Sequence, residues 1–473
     1  MDFLAAVGEP FADRCGIMVR SDTLGTVYAV IDGSVVGSAT TDPAVKDGCA
    51  YFTVACYDRA RCTVTHSAGG VEVLTLRTLP GVDESWSFGI FGCYQKETQA
   101  WFAAKIVEHG CRFAISAGDN GYMTQGLNAY GENYAAAHNV DFTDAAAALA
   151  NVYQYQRQFW KVTDIRALAR VMPLFVTFDD HECRGDNWDH TLGRSNAKGG
   201  IAMTTQAQVD EHYRICNMAF RHYWQQNPTN TDPEAIAVKP SNADPATPVA
   251  NYQPTYWRKR FGNVVEIFTL DAIAHRSPFQ DADTVSKQIL GSAQEQWIVN
   301  CVRNSPCKFK IIVSSKDVYG NYNQDGFAGC ISRRDILLKQ LLVPEITGLV
   351  WLTQDNHHPH ISQAKAGVTQ YADGSFYQAD LLVVCGAPAN GAHLHFQPML
   401  SGYGDSLRKK MGGNESNEVV GAVVWTAVDV TPDSLTVSLV RPDGSIWYSA
   451  TLAPGSNVAT PVRPQSGKVM VAA

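Results

Sequence analysis

The sequence predicts a mixed α/β fold, a largely parallel sheet preceded by a small antiparallel β-sandwich. Three observations predict it. Residues 1–84 hold only short strand patterns, separated by Gly, Asp and Ser. From residue 85 onward, apolar strand runs alternate with amphipathic helical stretches, the mark of β-α-β units. Several of those runs close on ionisable side chains, where a parallel sheet gathers its ligands.

The bulk numbers agree. With 473 residues the chain exceeds one simple core, and two domains is the prior. A composition 45% hydrophobic and 18% charged excludes disorder and fibre. A net charge of −8 argues against a groove for a nucleic-acid duplex. No transmembrane segment is expected, because no stretch approaches the roughly 18–20 apolar residues that span a bilayer. The N-terminus "MDFLAAVGEPFADRC" has no basic region and too short an apolar run for a signal peptide. The chain reads as cytoplasmic, or as exported if a leader precedes it. Its 12 cysteines form no CxxC pair and no zinc spacing. They read as buried free thiols in a reducing compartment, with a disulfide among Cys49, Cys56 and Cys62 as the alternative.

In order, "GIMVR", "GTVYAVI", "AYFTVACY", "CTVTHS" and "VEVLTLRTLP" are the strands of the sandwich. "WSFGIFGC" is a strand, "KETQAWFAAKIVEHG" a helix ended by Gly110, and "RFAISAGD" a strand. A helical stretch covers residues 142–170 and breaks near Thr163. "PLFVTF", "VVEIFTL", "KFKIIVSS", "TGLVWLT" and "DLLVVCG" are later strands, and "SAQEQWIVNCVRNS" and "RRDILLKQLL" are helices. Residues 224–256, rich in Asn, Pro, Thr and Asp, read as a surface excursion. The end of the chain returns to strands, with a hairpin at "RPDGS".

Four strand ends carry possible metal ligands. They deliver Cys93; Asp119 with Tyr122; the run Asp179, Asp180, His181, Glu182; and Asp355 with His357, His358 and His360. One such end is ordinary turn chemistry. Four converging ends with thiol, phenol, carboxylate and imidazole point to a metal centre. Thiolate and phenolate suit Fe(III) or zinc; oxygen neighbours suit Ca²⁺, Mg²⁺ or Mn²⁺. A carboxylate between two ions can bridge them, an arrangement suited to phosphoryl transfer.

These motifs resemble the metallophosphoesterase (calcineurin-like) superfamily, and most closely its alkaline phosphatase D, or PhoD-like, branch. "FGIFGCYQ" is similar to that family's strand ending in Cys. Gly118, Asp119 and Tyr122 match its Gly-Asp with a following Tyr, Phe178 to Glu182 its Asp-Asp-His-Glu, and Asp355 and His357 its terminal Asp-x-His. "YWRKRFGNVVEIFTLD" and "LGSAQEQWIVNCVRNSPCKFKIIVSS" resemble further segments in the right order. Gln354 stands where the family has Gly, Met123 where Glu often follows the Tyr, and Ile273 where an Arg is common; Arg276 survives nearby.

The resemblance implies a four-layer α/β/β/α core over residues 85–425. An N-terminal sandwich over 1–84 precedes it, and strands over 426–473 complete the core or pack beside it. It implies two or more metal ions, Fe(III) with Ca²⁺, or Zn, Mn or Mg in their place. Cys93, Asp119, Tyr122, Asp180, Asp355 and His357 are the implied metal ligands, with Asp119 as bridge. His181 is the implied acid for the leaving group, with Glu182 orienting it. Asp179 either shares that work or caps the turn. Arg184 and Asn187 are candidates to touch substrate phosphate or are solvated, and His358 and His360 supporting or solvated histidines. His393 and His395 in "GAHLHF" are the rival terminal pair to Asp355 and His357, and Asp325 in "NQDGF" is a pocket-mouth residue or a plain turn.

The implied function is hydrolysis of phosphomonoesters, phosphodiesters or both, by attack of a metal-bound hydroxide with His181 assisting the leaving group. The alternatives are a dinuclear-metal hydrolase of a non-phosphate ester, and a non-catalytic binding or surface protein with a structural metal site.

Overall fold

The computed structural model describes residues 2–93, 101–120, 144–183, 204–225, 255–278, 281–319, 326–355, 359–386 and 424–462. The first seven strands are β1 (Phe3–Pro10), β2 (Arg14–Ser21), β3 (Gly25–Ile31), β4 (Ser34–Thr41), β5 (Cys49–Ala55), β6 (Arg61–His66) and β7 (Val71–Thr75). They form two antiparallel sheets, ordered β1-β2-β5 and β4-β3-β6-β7. Alternate residues of both sheets, among them Val7, Ile17, Val27, Val64 and Leu74, close one core between them. This is the expected sandwich, with two strands the sequence reading missed. β1 runs through the small residues Ala5, Ala6 and Gly8, and β4 is rich in Ser and Thr, so neither carries a strong apolar alternation. All 12 cysteines are free, so no disulfide joins Cys49, Cys56 and Cys62.

Two larger sheets follow. Their strands are β8 (Trp86–Phe91), β9 (Phe113–Ser116), β10 (Leu174–Val176), β11 (Trp257–Phe261), β12 (Val265–Thr269), β13 (Phe309–Val313) and β14 (Leu349–Thr353). After these come β15 (His360–Ala364), β16 (Leu381–Cys385), β17 (Trp425–Thr431), β18 (Ser434–Val440), β19 (Ile446–Leu452) and β20 (Thr460–Val462). One sheet runs β10-β9-β8-β17-β18-β19-β20, the other β11-β12-β13-β14-β16-β15. β8, β9 and β10 are parallel, as are β12, β13, β14 and β16. The last strands therefore complete the first sheet, since β17 pairs antiparallel with β8.

The helices are α1 (Trp101–Glu108), α2 (Ala145–Phe159), α3 (Thr163–Val171), α4 (Gln206–Tyr223), α5 (Gly291–Asn304) and α6 (Ile331–Leu341). Gly110, at φ +80°, ends the α1 segment where the sequence places its stop. The 142–170 stretch breaks just ahead of Thr163, as expected. α4 is an addition; its signal was the box in which Thr205 accepts from Gln208 N at 3.3 Å.

Strand periodicity sets the layers. Ile311, Val350 and Leu382 face the first sheet, meeting Ile90, Phe113 and Val428. The intervening Ile312, Trp351 and Val383 face α5 and α6, packing with Trp297 and Leu338. On the opposite side Phe91, Leu174 and Trp425 pack with α1 to α4. The order is thus helix, sheet, sheet, helix, the four-layer core the sequence implies. Burying both faces accounts for the continuous apolar strands. Among the described residues no helix is long and apolar enough to cross a membrane, which says nothing of a β-barrel.

Candidate metal centre

The carboxyl ends of β8, β9 and β10 meet those of β13 and β14. Cys93 follows β8 and Asp119 follows β9; Cys93 Sγ lies 3.4 Å from Asp119 Oδ2. Cys93 N donates to Gly118 O at 3.1 Å, tying the two strand ends together. Gly118 holds φ +96°, and a Cβ there would sit 2.7 Å from Asp179 Cβ. Only glycine admits both that backbone and that approach.

After β10 the chain turns through a single 3₁₀ turn, Asp180–Glu182. All three side chains are buried, as is Asp179 before them. Possible ligand atoms gather in two groups, Cys93–Asp119–Asp355 (sulfur and oxygens) and Asp119–Asp180–His181 (oxygens and nitrogen), the donor atoms of each within 4.8 Å of one another. Asp119 belongs to both, as a bridging carboxylate would. A thiol with carboxylates, and carboxylates with an imidazole, are donor sets that fit transition-metal and harder ions.

Electrostatics point the same way. Burial pushes the Cys93 thiol far above its ordinary range, and the Asp119, Asp355 and Asp179 carboxylates push it further. Burial also raises the Asp119 carboxyl, with Asp179, Asp180 and Asp355 adding to it. Asp179 is raised by burial too, against a downward pull from Lys316. Such a cluster favours any group that brings positive charge. Both Asp179 oxygens are buried, and Oδ1 faces the Lys316 ammonium at 3.3 Å.

A family comparison decides what the centre belongs to. The model of the PhoD-like phosphatases matches residues 85–384, well over half of the chain. The chain belongs to the PhoD-like phosphatase family. It is accordingly a phosphoesterase-type hydrolase that binds metal. In fold this PhoD-like phosphatase is similar to the solved structure of PhoD, at 14% identity and TM-score 0.69, covering 98% of this chain and 92% of that one. It is similar also to the purple acid phosphatase PPD1 from seeds of yellow lupin (Lupinus luteus), at 10% identity and TM-score 0.52, covering 95% and 74%. No curated protein matches it by sequence.

Of the residues the sequence singled out, this PhoD-like phosphatase brings together Cys93, Asp119, Asp179, Asp180, His181, Glu182 and Asp355. Tyr122, Arg184, Asn187, Asp325, His357, His358, His393 and His395 lie outside the described residues, as does most of the 224–256 excursion. His360 opens β15, an edge strand, so the loop expected around it ends there.

One expectation changes. Glu182 was expected to orient His181, but its oxygens are taken by amides. Oε1 accepts from Asn120 N at 2.7 Å and Asn120 Nδ2 at 3.0 Å; Oε2 accepts from Asp179 N at 2.9 Å and Asp119 N at 3.1 Å. The carboxylate holds the Asp119–Asn120 corner against the 3₁₀ turn. Asp179 stands at the N-cap of the 3₁₀ turn, in a capping box with Glu182, and its Oδ1 also lies 3.3 Å from Lys316 Nζ.

Lys316 is the residue the sequence reading missed. It follows β13, a fifth strand end, and its side chain is 1% exposed. Its ammonium also lies 3.1 Å from Asp180 Oδ2 and 3.0 Å from Asp355 Oδ2. Buried Arg276 adds a second cation, Nη2 3.9 Å from Asp180 Oδ2. Gln354, at the family's Gly position, leaves the centre undisturbed: its amide packs beside Gly386 and donates to Thr426 Oγ1 at 3.4 Å. Asp271 serves its own loop, accepting from Ile273 N and Ala274 N at 2.9 Å each.

Proposed function

We propose that this chain hydrolyses phosphomonoesters, phosphodiesters or both, with His181 acting on the leaving oxygen. The observation that carries the reading is the gathering of Cys93, Asp119, Asp180, His181 and Asp355 at the strand ends, in two donor groups joined by Asp119.

Cys93, Asp119, Asp180 and Asp355 hold the metal, with Tyr122 and His357 as further ligands. Fe(III) on the thiolate side and Ca²⁺ on the oxygen side match the donors, with Zn, Mn or Mg as substitutes. Bound metal supplies a water of lowered pKa and polarises the phosphoryl oxygens. The chain's own residues do the rest. The 3₁₀ turn fixes His181 beside Asp119, whose Oδ1 accepts from His181 N at 3.4 Å. An imidazole suits protonation of a leaving alkoxide near neutral pH. Glu182 keeps the turn and the Asp119 corner in register through its amide bonds. Arg276 lends positive charge beside Asp180, where a phosphoryl group carries negative charge.

Assays of the metal-loaded protein on p-nitrophenyl phosphate and bis-p-nitrophenyl phosphate test the reading. Turnover of either supports it and assigns the ester class. Failure on both, with metal bound, overturns it.

A further inference from the structure

We propose that Tyr155, on α2, is a positioning residue for the metal centre: its hydroxyl fixes the Asp119–Asn120 corner through the chain's own hydrogen bonds. The inference rests on the metal reading above and concerns how the backbone that carries Asp119 is held.

The corner follows β9 on left-handed backbone, with Gly118 at φ +96° and Asp119 at φ +57°. Such backbone persists only where its surroundings impose it. Asn120 is where they do so, because each of its polar atoms has a partner. N and Nδ2 donate to Glu182 Oε1 at 2.7 and 3.0 Å, and Oδ1 accepts from Ser116 Oγ. The carbonyl accepts from Tyr155 OH at 2.7 Å. Asn120 is 4% exposed and Tyr155 2%, so removing the hydroxyl leaves a buried carbonyl without its donor.

The helix behind that hydroxyl is itself anchored away from the centre. Two residues on, Arg157 Nη1 donates to both oxygens of Asp47, which lies between β4 and β5 of the sandwich, at 2.6 and 2.5 Å. Asp47 also accepts from Tyr223 OH of α4. Tyr153 OH meets His222 Nδ1, again on α4. None of these ties uses a metal-ligand candidate. The sandwich thus reaches the centre through one helix, from Asp47 to Arg157 and from Tyr155 to Asn120. A corner held in this way loses little freedom when an ion binds Asp119, and a loosened one pays that entropy on binding.

The test is a calorimetric titration of the full chain, stripped by chelator, with Mn²⁺ alone, comparing Tyr155→Phe with Tyr153→Phe. Each variant loses one hydroxyl from the same helix, at positions roughly 200° apart around it. Tyr155→Phe should bind Mn²⁺ at least fivefold more weakly than the wild type, and Tyr153→Phe should stay within twofold. A loss under fivefold in folded Tyr155→Phe overturns the inference. So does a loss beyond twofold in Tyr153→Phe, which would make the effect one of the helix as a whole. Should Tyr155→Phe not fold, hydrogen exchange of the wild type decides. The Asp119 and Asn120 amides should be as protected in the stripped protein as with Mn²⁺ bound; protection gained only on loading overturns the idea. A wild type that binds no Mn²⁺ refutes the metal reading itself and this inference with it, whereas unchanged affinity in Tyr155→Phe refutes this inference alone.

Discussion

Cys93 Sγ and Asp119 Oδ2 stand 3.4 Å apart, and both residues hold left-handed backbone, at φ 52° and 57°. That conformation costs a non-glycine residue of order 1 kcal/mol or more, and it persists where surrounding structure imposes it. Here it turns a thiol and a carboxylate from neighbouring strands toward one point. The double variant Cys93→Ser with Asp119→Asn should lose the bound transition metal and any visible charge-transfer colour while keeping its circular dichroism. Unchanged metal content would refute the ligand assignment.

Gly118→Ala tests the packing behind that point. The added methyl meets Asp179 Cβ at 2.7 Å, on a backbone of φ +96°. We expect a loss of about 1–3 kcal/mol in chemical unfolding and weaker metal binding. A variant as stable as the wild type would mean that the two strand ends are not held this closely.

His181→Ala separates binding from proton transfer. With His181 acting as the acid and not as a ligand, although its ring lies within the second donor group, metal content should stay within error while turnover falls by roughly 10²–10⁴ for alkyl phosphates; loss of metal would make it a ligand. The loss should be much smaller for p-nitrophenyl esters, whose leaving group needs little protonation. Equal losses on both would assign His181 another task.

A pH effect is expected away from the centre. His222, in α4, has Nδ1 2.5 Å from Tyr153 OH, and burial pushes its imidazole down to about 4. The unfolded chain, with an ordinary histidine near 6.5, binds more protons between those values. Stability from neutral His222 is therefore complete above about pH 6.5 and lost as pH falls toward 4. Partial exposure limits the effect to on the order of 1 kcal/mol. Thermal melts of His222→Gln should lack this part of the pH profile; an identical profile would remove His222 as its source.

Legibility followed the physics of each residue. The ends of β8, β9, β10 and β14 were readable because four buried apolar runs each close on thiol or carboxylate, where one alone would be ordinary turn chemistry. Lys316 was not, because a lone lysine after a strand ordinarily reads as solvated, and only the fold shows it to be buried among acids. Glu182 was legible as part of a motif, but its partners were not. Asp119 and Asn120 are more than sixty residues away, and the bonds run to their backbone as well as to the Asn120 side chain. β1 and α4 were missed for different reasons. β1 lacks alternation, whereas the Thr205–Gln208 box was present and unread.

The central claim is that this strand-end cluster holds metal that drives phosphoester hydrolysis. Its most direct test measures metal content and p-nitrophenyl phosphate turnover on the same samples through chelation and reloading. The account predicts that turnover falls in proportion to metal removed and returns with it. Full turnover in protein shown to be free of metal would contradict it.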